Sequence, residues 1–198
     1  MSGITIWNYF SSCFTSTSAT FITNANIFGK VYFPRLVLPL SVIISNIIRF
    51  SIQFSILIAV LIFYVLFRGY EFHVGLHLLW IPFIVVLMAL IGLSTGIIIS
   101  SFTTKYRDLH VLIGFGIQLF MYITPVAYSM NYLKNSKYIS LIKLNPLSSL
   151  IEAFRYSLFG KGYFSAGDII YSVCFTIVAF FIGVILFNRV ERTFMDTV

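Results

Sequence analysis

Long apolar stretches alternate with short polar ones along this chain. Because a spanning helix needs about 20 mostly apolar residues, five stretches are long enough to cross a bilayer. They are residues 4–23, 37–67, 76–102, 110–130 and 168–188. Polar or charged residues separate them, at 24–36, 68–75, 103–109 and 131–167. The pattern predicts an all-α, polytopic membrane protein with five spanning helices in a single membrane domain, residues 1–198.

The first stretch, ITIWNYFSSCFTSTSATFIT, is the least apolar of the five and is rich in Ser and Thr. Helices tolerate hydroxyls in lipid because each hydroxyl can bond back to its own backbone or to a neighbouring helix. We therefore expect this helix to face protein or a polar passage rather than bulk lipid.

The second stretch is longer than a perpendicular span requires. Asn46, Arg49 and Gln53 stand at i, i+3 and i+7, which predicts one shared helix face. An arginine inside a membrane is by default a candidate functional residue. We favour a more common arrangement, in which the early part of the helix lies at the interface and Arg49 extends its guanidinium to water.

Glycines in the third stretch indicate a close helix contact. Gly92 and Gly96 have the small-xxx-small spacing that lets two helices approach closely, although the motif alone is weak.

The segment NPLSSLIEAFRYSLFGKG (145–162) predicts a short helix with defined ends. Asn145 is suited to the N-cap, Pro146 to the first turn and Gly160 to the C-terminal turn. Glu152 and Arg155, at i and i+3, are expected to pair. One apolar stripe follows the helical period, formed by Leu147, Leu150, Ile151, Phe154 and Leu158. The helix is too short and too charged to span, which predicts a re-entrant or interfacial position against other helices.

Composition strengthens the membrane interpretation. The chain is 59% hydrophobic and only 10% charged, with a net charge of +7. Basic side chains collect at membrane boundaries, so no nucleic acid partner is expected. Counting Lys and Arg on the two sides of five spans gives no clear orientation, but the compact loops lean toward a cytosolic C-terminus.

Catalytic and metal-binding motifs are absent from the sequence. It contains no GxxxxGK[ST], no HExxH and no GxSxG. His73 and His77 lack the further ligand that a zinc site needs, and the two cysteines form no metal-binding pattern. The charged run KYRDLH (105–110) has nothing around it to complete an active site. A membrane-embedded enzyme is therefore the less favoured class.

Six motifs in order resemble the permease subunits of polysaccharide-exporting ABC transporters, of the ABC-2 type. They are IWNYFSS (6–12), NANIFGKVYFPRLVLPLS (24–41), TTKYRDLH (103–110), MYITPVAYS (121–129), NPLSSLIEAFRYSLFG (145–160) and NRVERTFMDTV (188–198). The resemblance runs from end to end. It implies six spanning helices after an interfacial helix. Because this chain starts where the family's second span begins, Met1 is expected to be an internal start or a fragment boundary.

The resemblance also implies a function. Two permease copies form a channel in the bacterial inner membrane, and two copies of a separate ATPase dock from the cytosol. The substrate is a glycan linked to undecaprenyl diphosphate, such as O-antigen, teichoic acid or capsule. No cofactor is expected on this chain, since Mg-ATP would bind the ATPase. A drug- or lipid-exporting permease, or a non-transport protein of glycan assembly, is the alternative.

The resemblance assigns residues to three regions. The ATPase-docking set is Asn26, Lys30, Tyr32, Phe33, Pro34, Arg35, Tyr106, Arg107 and Asp108. Sugar rings stack their C–H faces on aromatics, which predicts a glycan path along Trp7, Tyr9, Phe10, Phe14, Phe120 and Tyr122. The re-entrant outer helix carries Asn145, Pro146, Glu152 and Arg155.

Overall fold

The computed structural model describes residues 1–23, 37–68, 76–103, 108–130, 139–160 and 163–195. In these ranges the regular elements are helical, which confirms the all-α prediction there. The helices are α1 (Ser2–Ser18), α2 (Thr20–Thr23), α3 (Val37–Arg68), α4 (Trp80–Thr103), α5 (Leu109–Ile123), α6 (Ile139–Leu144), α7 (Pro146–Phe159) and α8 (Ala166–Met195). A 3₁₀ turn, Leu76–Leu79, leads into α4.

Within the described ranges, three helical segments are long and apolar enough to cross a membrane: Val37–Phe67, His77–Thr103 and Ala166–Arg189. They match the second, third and fifth predicted spans. The fourth predicted span holds only a shorter apolar helix, Val111–Ile123, and the first is short and hydroxyl-rich. The spanning role of these two stretches therefore stays a prediction.

Side-chain contacts show that α1, α4 and α8 run in the same direction. Along α1 and α4, Cys13 lies beside Gly92, and Thr17 lies beside Gly96 one turn further on. Along α4 and α8, Trp80 contacts Phe164 just before α8, and further on Ser94 lies against Gly183. We call the end that carries Ser2, Trp80 and α7 the α7 end. The other, which carries Ser18, Thr103 and Asp108, is called the Asp108 end.

The helices α3 and α5 run the opposite way. Tyr9 meets the ring of Phe50, whereas Ser2 shares a cavity with Leu57 further along α3. In α5, Ile113 lies near Phe14, and Phe120, two turns later, meets Trp7. Chain direction therefore alternates through α1, α3, α4, α5 and α8.

The hydroxyl-rich helix α1 lies inside the bundle. The side chains of Ile6, Trp7, Phe10 and Cys13 in α1 are all buried. Hydroxyls of α1 and α2 bond back to carbonyls of the preceding turn, as in Thr20 Oγ1 to Ser16 O at 3.3 Å. The prediction that this stretch faces protein is confirmed for the residues described.

Gly92 and Gly96 allow α1 and α4 to come close. A Cβ placed on Gly96 would lie 2.7 Å from the Cβ of Thr17, and one on Gly92 would lie 3.0 Å from the Cβ of Cys13. At the Asp108 end, Thr103 Oγ1 donates to the Ser18 carbonyl at 3.0 Å. The small-residue motif therefore has the packing role that its spacing predicted.

Asn46, Arg49 and Gln53 lie on one unbroken helix, as the shared face requires, but they differ in burial. Asn46 is buried, 3% exposed, whereas Arg49 and Gln53 are exposed. At about 100° per residue, Asn46 stands on the edge of the Arg49 face and turns toward α1. The three polar residues therefore do not share one environment.

Candidate functional site

A cavity of about 330 Å³ lies where α1, α4, α5 and the start of α7 converge. Its wall is mostly apolar, with Thr95 and Asn145 as the polar contributors. The lining residues are Phe10, Phe14, Ile91, Thr95, Ile113, Gly116, Ile117, Phe120, Asn145, Pro146, Leu147 and Phe175. A site of this kind holds apolar surface and aligns it with a few polar groups.

Aromatic residues predicted for a glycan path meet at this cavity. Phe10, Phe14 and Phe120 line it, and Trp7 lies behind them with its ring 5.4 Å from Phe10 and 6.1 Å from Phe120. The rings of Phe10 and Phe14 stack at 6.0 Å. Four of the six predicted path residues are therefore brought together.

The other two lie elsewhere. Tyr9 points toward α3 and packs its ring 4.9 Å from Phe50. Tyr122 is 75% exposed on the outer face of α5 and is not among the residues that line the cavity. The role of each predicted path residue in transport stays a prediction.

The carboxylate of Glu152 is fully buried and binds the chain that follows α5. Its Oε1 accepts from the backbone N–H of Met130 at 2.8 Å, and its Oε2 accepts from Ser129 Oγ at 3.3 Å. Arg155, one turn later in α7, donates to the same Oε1, as its i, i+3 spacing predicted. The charge of Glu152 is thus compensated inside the protein.

Arg155 grips the same segment through backbone carbonyls. Its guanidinium donates to Tyr128 O at 3.1 Å, Val126 O at 3.1 Å and Pro125 O at 3.3 Å. Gly3 at the start of α1 closes over this contact, because a Cβ there would lie 2.4 Å from Val126 O. Glu152 and Arg155 therefore clamp residues 125–130 onto α7 beside α1.

The predicted ends of α7 are confirmed. The side chain of Asn145 accepts from Leu147 N at 3.1 Å, Pro146 follows in the first turn, and Gly160 adopts the left-handed conformation with φ 63°. The predicted stripe from Leu147 to Leu158 is buried. Asn145 Nδ2 also donates to Thr124 Oγ1 at 2.9 Å, which ties α7 to the end of α5 just before Pro125.

Lys143, in α6, is held at the α7 end. Its Nζ donates to Tyr163 Oη at 2.7 Å and lies 4.7 Å from the centre of that ring. The hydrogen bond from the ammonium raises the pKa of Lys143 above its usual value. The side chain therefore remains cationic over the whole neutral range.

Most of the predicted docking set falls outside the described residues. These are Asn26, Lys30, Tyr32, Phe33, Pro34, Arg35, Tyr106 and Arg107. Asp108 is described, and it stands exposed at the N-cap of α5, where negative charge is favoured. It makes no side-chain capping bond, so its carboxylate is available at the Asp108 end.

Among the described residues, no group of three His, Cys, Asp or Glu side chains could hold a metal ion. His77 instead packs its ring 5.0 Å from Tyr156. His73 lies outside the described residues.

Comparison with known families identifies the kind of protein that contains this cavity and the Glu152–Arg155 clamp. The sequence profile described as "ABC-2 type transporter" matches residues 1–159. The chain belongs to the ABC-2 type transporter family. With its long apolar helices, this ABC-2 chain is a multi-pass membrane protein and a transport component.

Curated relatives of the ABC-2 chain carry one name. Two proteins of Klebsiella pneumoniae, each named "O-antigen export system permease protein RfbA", are 30% and 29% identical to it. Each match covers 99% of this chain and 73% of the relative. A Myxococcus xanthus protein of the same name is 25% identical over 77% of the chain and 57% of its own length.

Sequence reasoning missed several cavity residues of the ABC-2 chain. Gly116, Thr95 and Phe175 line the cavity but come from three different helices. Only Gly116 left a signal, because GFG in α5 interrupts bulky residues with two positions that have no side chain. The face that each helix turns inward depends on tertiary packing, which periodicity does not specify in a uniformly apolar helix.

Proposed function

We propose that this chain is the membrane-spanning channel subunit of an ATP-driven exporter of lipid-linked polysaccharide of the O-antigen type. The observation that carries the proposal is the similarity to O-antigen export permeases over 99% of the chain. It includes the helices that build the cavity and the α7 clamp. The same class of substrate also includes teichoic acid and capsule chains.

The proposal requires a separate ATP-binding subunit. The sequence has no phosphate-binding GxxxxGK[ST] motif, so Mg-ATP would be bound and hydrolysed by that partner. The partner docks at the Asp108 end, on residues 24–36 and the segment that ends with Asp108. A second permease copy completes the channel within the bilayer.

The proposed topology has five spans in this chain, with α6 and α7 re-entrant on the outer side. The alternating directions of α1, α3, α4, α5 and α8 support it, because a chain that crosses the bilayer reverses at each pass. Short α6 and α7 stay at one end of the bundle, where Asn145 and Arg155 attach them to the segment after α5. The α7 end faces outward from the bacterial inner membrane, and the C-terminus is cytosolic.

The cavity fits part of a glycan path. Stacked Phe10 and Phe14, with Phe120 opposite, offer flat apolar faces, while Thr95 and Asn145 offer hydrogen-bonding groups. Sugar rings present the matching combination of C–H faces and hydroxyls. Contact through ring faces tolerates different sugars, which suits a passage that moves a repeating polymer.

A drug- or lipid-exporting permease is the second candidate. The observation that favours it is the wall of the cavity, which has only two polar contributors among twelve lining residues. A purely apolar substrate would need no further polar groups in the cavity wall.

Export in cells tests the proposal. A strain that lacks its own O-antigen exporter permease is given this chain with the ATP-binding subunit, and surface polysaccharide is measured by immunoblotting of intact cells. Restored surface polysaccharide supports the proposal. Polysaccharide that accumulates inside, while efflux of an apolar dye rises, would favour the second candidate instead.

A further inference from the structure

The exposed face of α3 carries a cation far from both ends of the helix. Arg49 lies about 18 Å from the first residue of α3 and about 28 Å from the last, at about 1.5 Å per residue. Its neighbour Phe50 packs against Tyr9, which lies about 10 Å inside α1. Because α3 has 32 residues, it is about 48 Å long and exceeds a hydrocarbon core of about 30 Å by about 18 Å, so Arg49 lies at or inside the boundary of that core.

Arg49 belongs to a line of polar residues on this face. Ser41, Ser45, Arg49 and Gln53 follow one another at intervals of four, and all are exposed. The serine hydroxyls are satisfied by the helix itself, through Ser41 Oγ to Leu38 O and Ser45 Oγ to Ser41 O. Arg49 and Gln53 are different, because neither makes a hydrogen bond or ion pair with the described residues.

Apolar side chains surround this polar line. Ile44, Ile48, Ile52 and Ile56 are each at least 60% exposed on α3. A face with this composition is exposed to lipid chains, and a guanidinium there is costly unless an anion or water accompanies it. The surface therefore needs a counter-ion that arrives from outside the described chain.

Among the residues whose side chains are described, no carboxylate supplies that counter-ion. Glu152 is buried and already bound to Arg155, while Asp108 and Asp168 stand near the first residues of α5 and α8. A second copy that met this face would bring the same three described carboxylates, one buried and two near helix ends. The anion that a bilayer itself offers is the phosphate of a lipid headgroup, drawn inward by local thinning.

We propose that Arg49, with Gln53 one turn away, is a binding site for the phosphate group of a membrane lipid on the outer surface of α3. The guanidinium donates to phosphate oxygens in its fork geometry, and the Gln53 amide donates to another oxygen. The isoleucines beside them pack against the acyl chains. This site is separate from the cavity, and its occupancy does not depend on which substrate is exported.

Native mass spectrometry of the purified full-length chain tests this inference. Phosphatidic acid and diacylglycerol with the same acyl chains are titrated separately, so that the phosphate is the sole difference. Wild type is expected to bind phosphatidic acid more tightly. Arg49→Gln should weaken that binding about fivefold, because a basic residue near a lipid surface contributes roughly 1 kcal/mol.

Two control variants make the result specific. Arg49→Lys keeps the charge and is expected to retain most of the affinity, whereas Ile48→Gln makes the same surface more polar and should leave it unchanged. Binding of phosphatidic acid that is equal for wild type and Arg49→Gln would overturn the inference. So would a loss of dimer in Arg49→Gln without a change in lipid affinity, because that result assigns the face to a protein partner.

Discussion

Glu152 and Arg155 pair within one turn of α7, and together they bind both kinds of backbone group, N–H and carbonyl, in residues 125–130. The carboxylate accepts the Met130 N–H, while the guanidinium donates to the carbonyls of Pro125, Val126 and Tyr128. Because the segment after α5 contains Pro125 and does not continue the helix, its backbone groups need partners from elsewhere.

Replacing Glu152 by Ala should strongly destabilise the protein. The change removes the compensation of Arg155 and leaves the Met130 N–H buried without an acceptor. Breaking a buried ion pair costs about 3 kcal/mol or more. Thermal unfolding in detergent, followed by circular dichroism, measures the effect.

A matched control lies on the same helix. Ser157 is buried, and its hydroxyl has no partner among the described residues. Ser157→Ala should change the free energy of unfolding by less than about 0.5 kcal/mol. Equal losses in the two variants would contradict the role assigned to the clamp.

Gly96→Ala should weaken the contact between α1 and α4. The added methyl would overlap the side chain of Thr17 and approach the carbonyl of Phe14. Overpacking of this kind costs roughly 1–3 kcal/mol. Gly114→Ala is the control, because a Cβ there has nothing within 4 Å, and it should be neutral or slightly stabilising. The midpoints of unfolding of the two variants provide the comparison.

Gly116→Leu should reduce export several-fold without unfolding the protein. Gly116 lines the cavity, and a Cβ there has nothing within 4 Å, so a leucine fits without overlap and adds bulk to the cavity wall. Gly114→Leu places the same side chain on the same helix outside the cavity wall. Surface polysaccharide is measured in cells for both variants. If Gly114→Leu lowers export as much as Gly116→Leu does, the cavity is not on the path.

Cysteine labelling should separate the two ends of the bundle. In a variant with Cys13 and Cys174 replaced by Ala, single cysteines are placed at Asp108 and Ala166, both exposed positions. A membrane-impermeant maleimide added to intact cells is expected to label the Ala166 position and spare the Asp108 position. After the cells are opened, both should react. Labelling of the Asp108 position in intact cells would reverse the proposed orientation.

The sequence predicted most of α7 but little of the cavity. The ends of α7 are set by local chemistry, since Asn145, Pro146 and Gly160 each act on the helical turn next to them. The pair Glu152 and Arg155 also follows from spacing on one helix. What those residues hold, the segment 125–130, depends on contacts between distant parts of the chain.

The environment of apolar helices was harder to predict. In α3, Asn46 and Arg49 are only three residues apart, yet one is buried against α1 and the other is exposed. Tyr9 and Phe10 are adjacent in α1 but face different neighbours, α3 and the cavity. A helix that is apolar on all sides gives no period from which its inward face can be read.

The buried position of α1 has a consequence for biogenesis. This hydroxyl-rich helix precedes α4 in the chain, yet it has limited hydrophobicity of its own to keep it in the bilayer. Its main packing partner, α4, is complete only at Thr103, which then bonds to Ser18. We therefore expect α1 to become stable within the membrane only after α4 has been synthesised and α1 has packed against Gly92 and Gly96 of that helix.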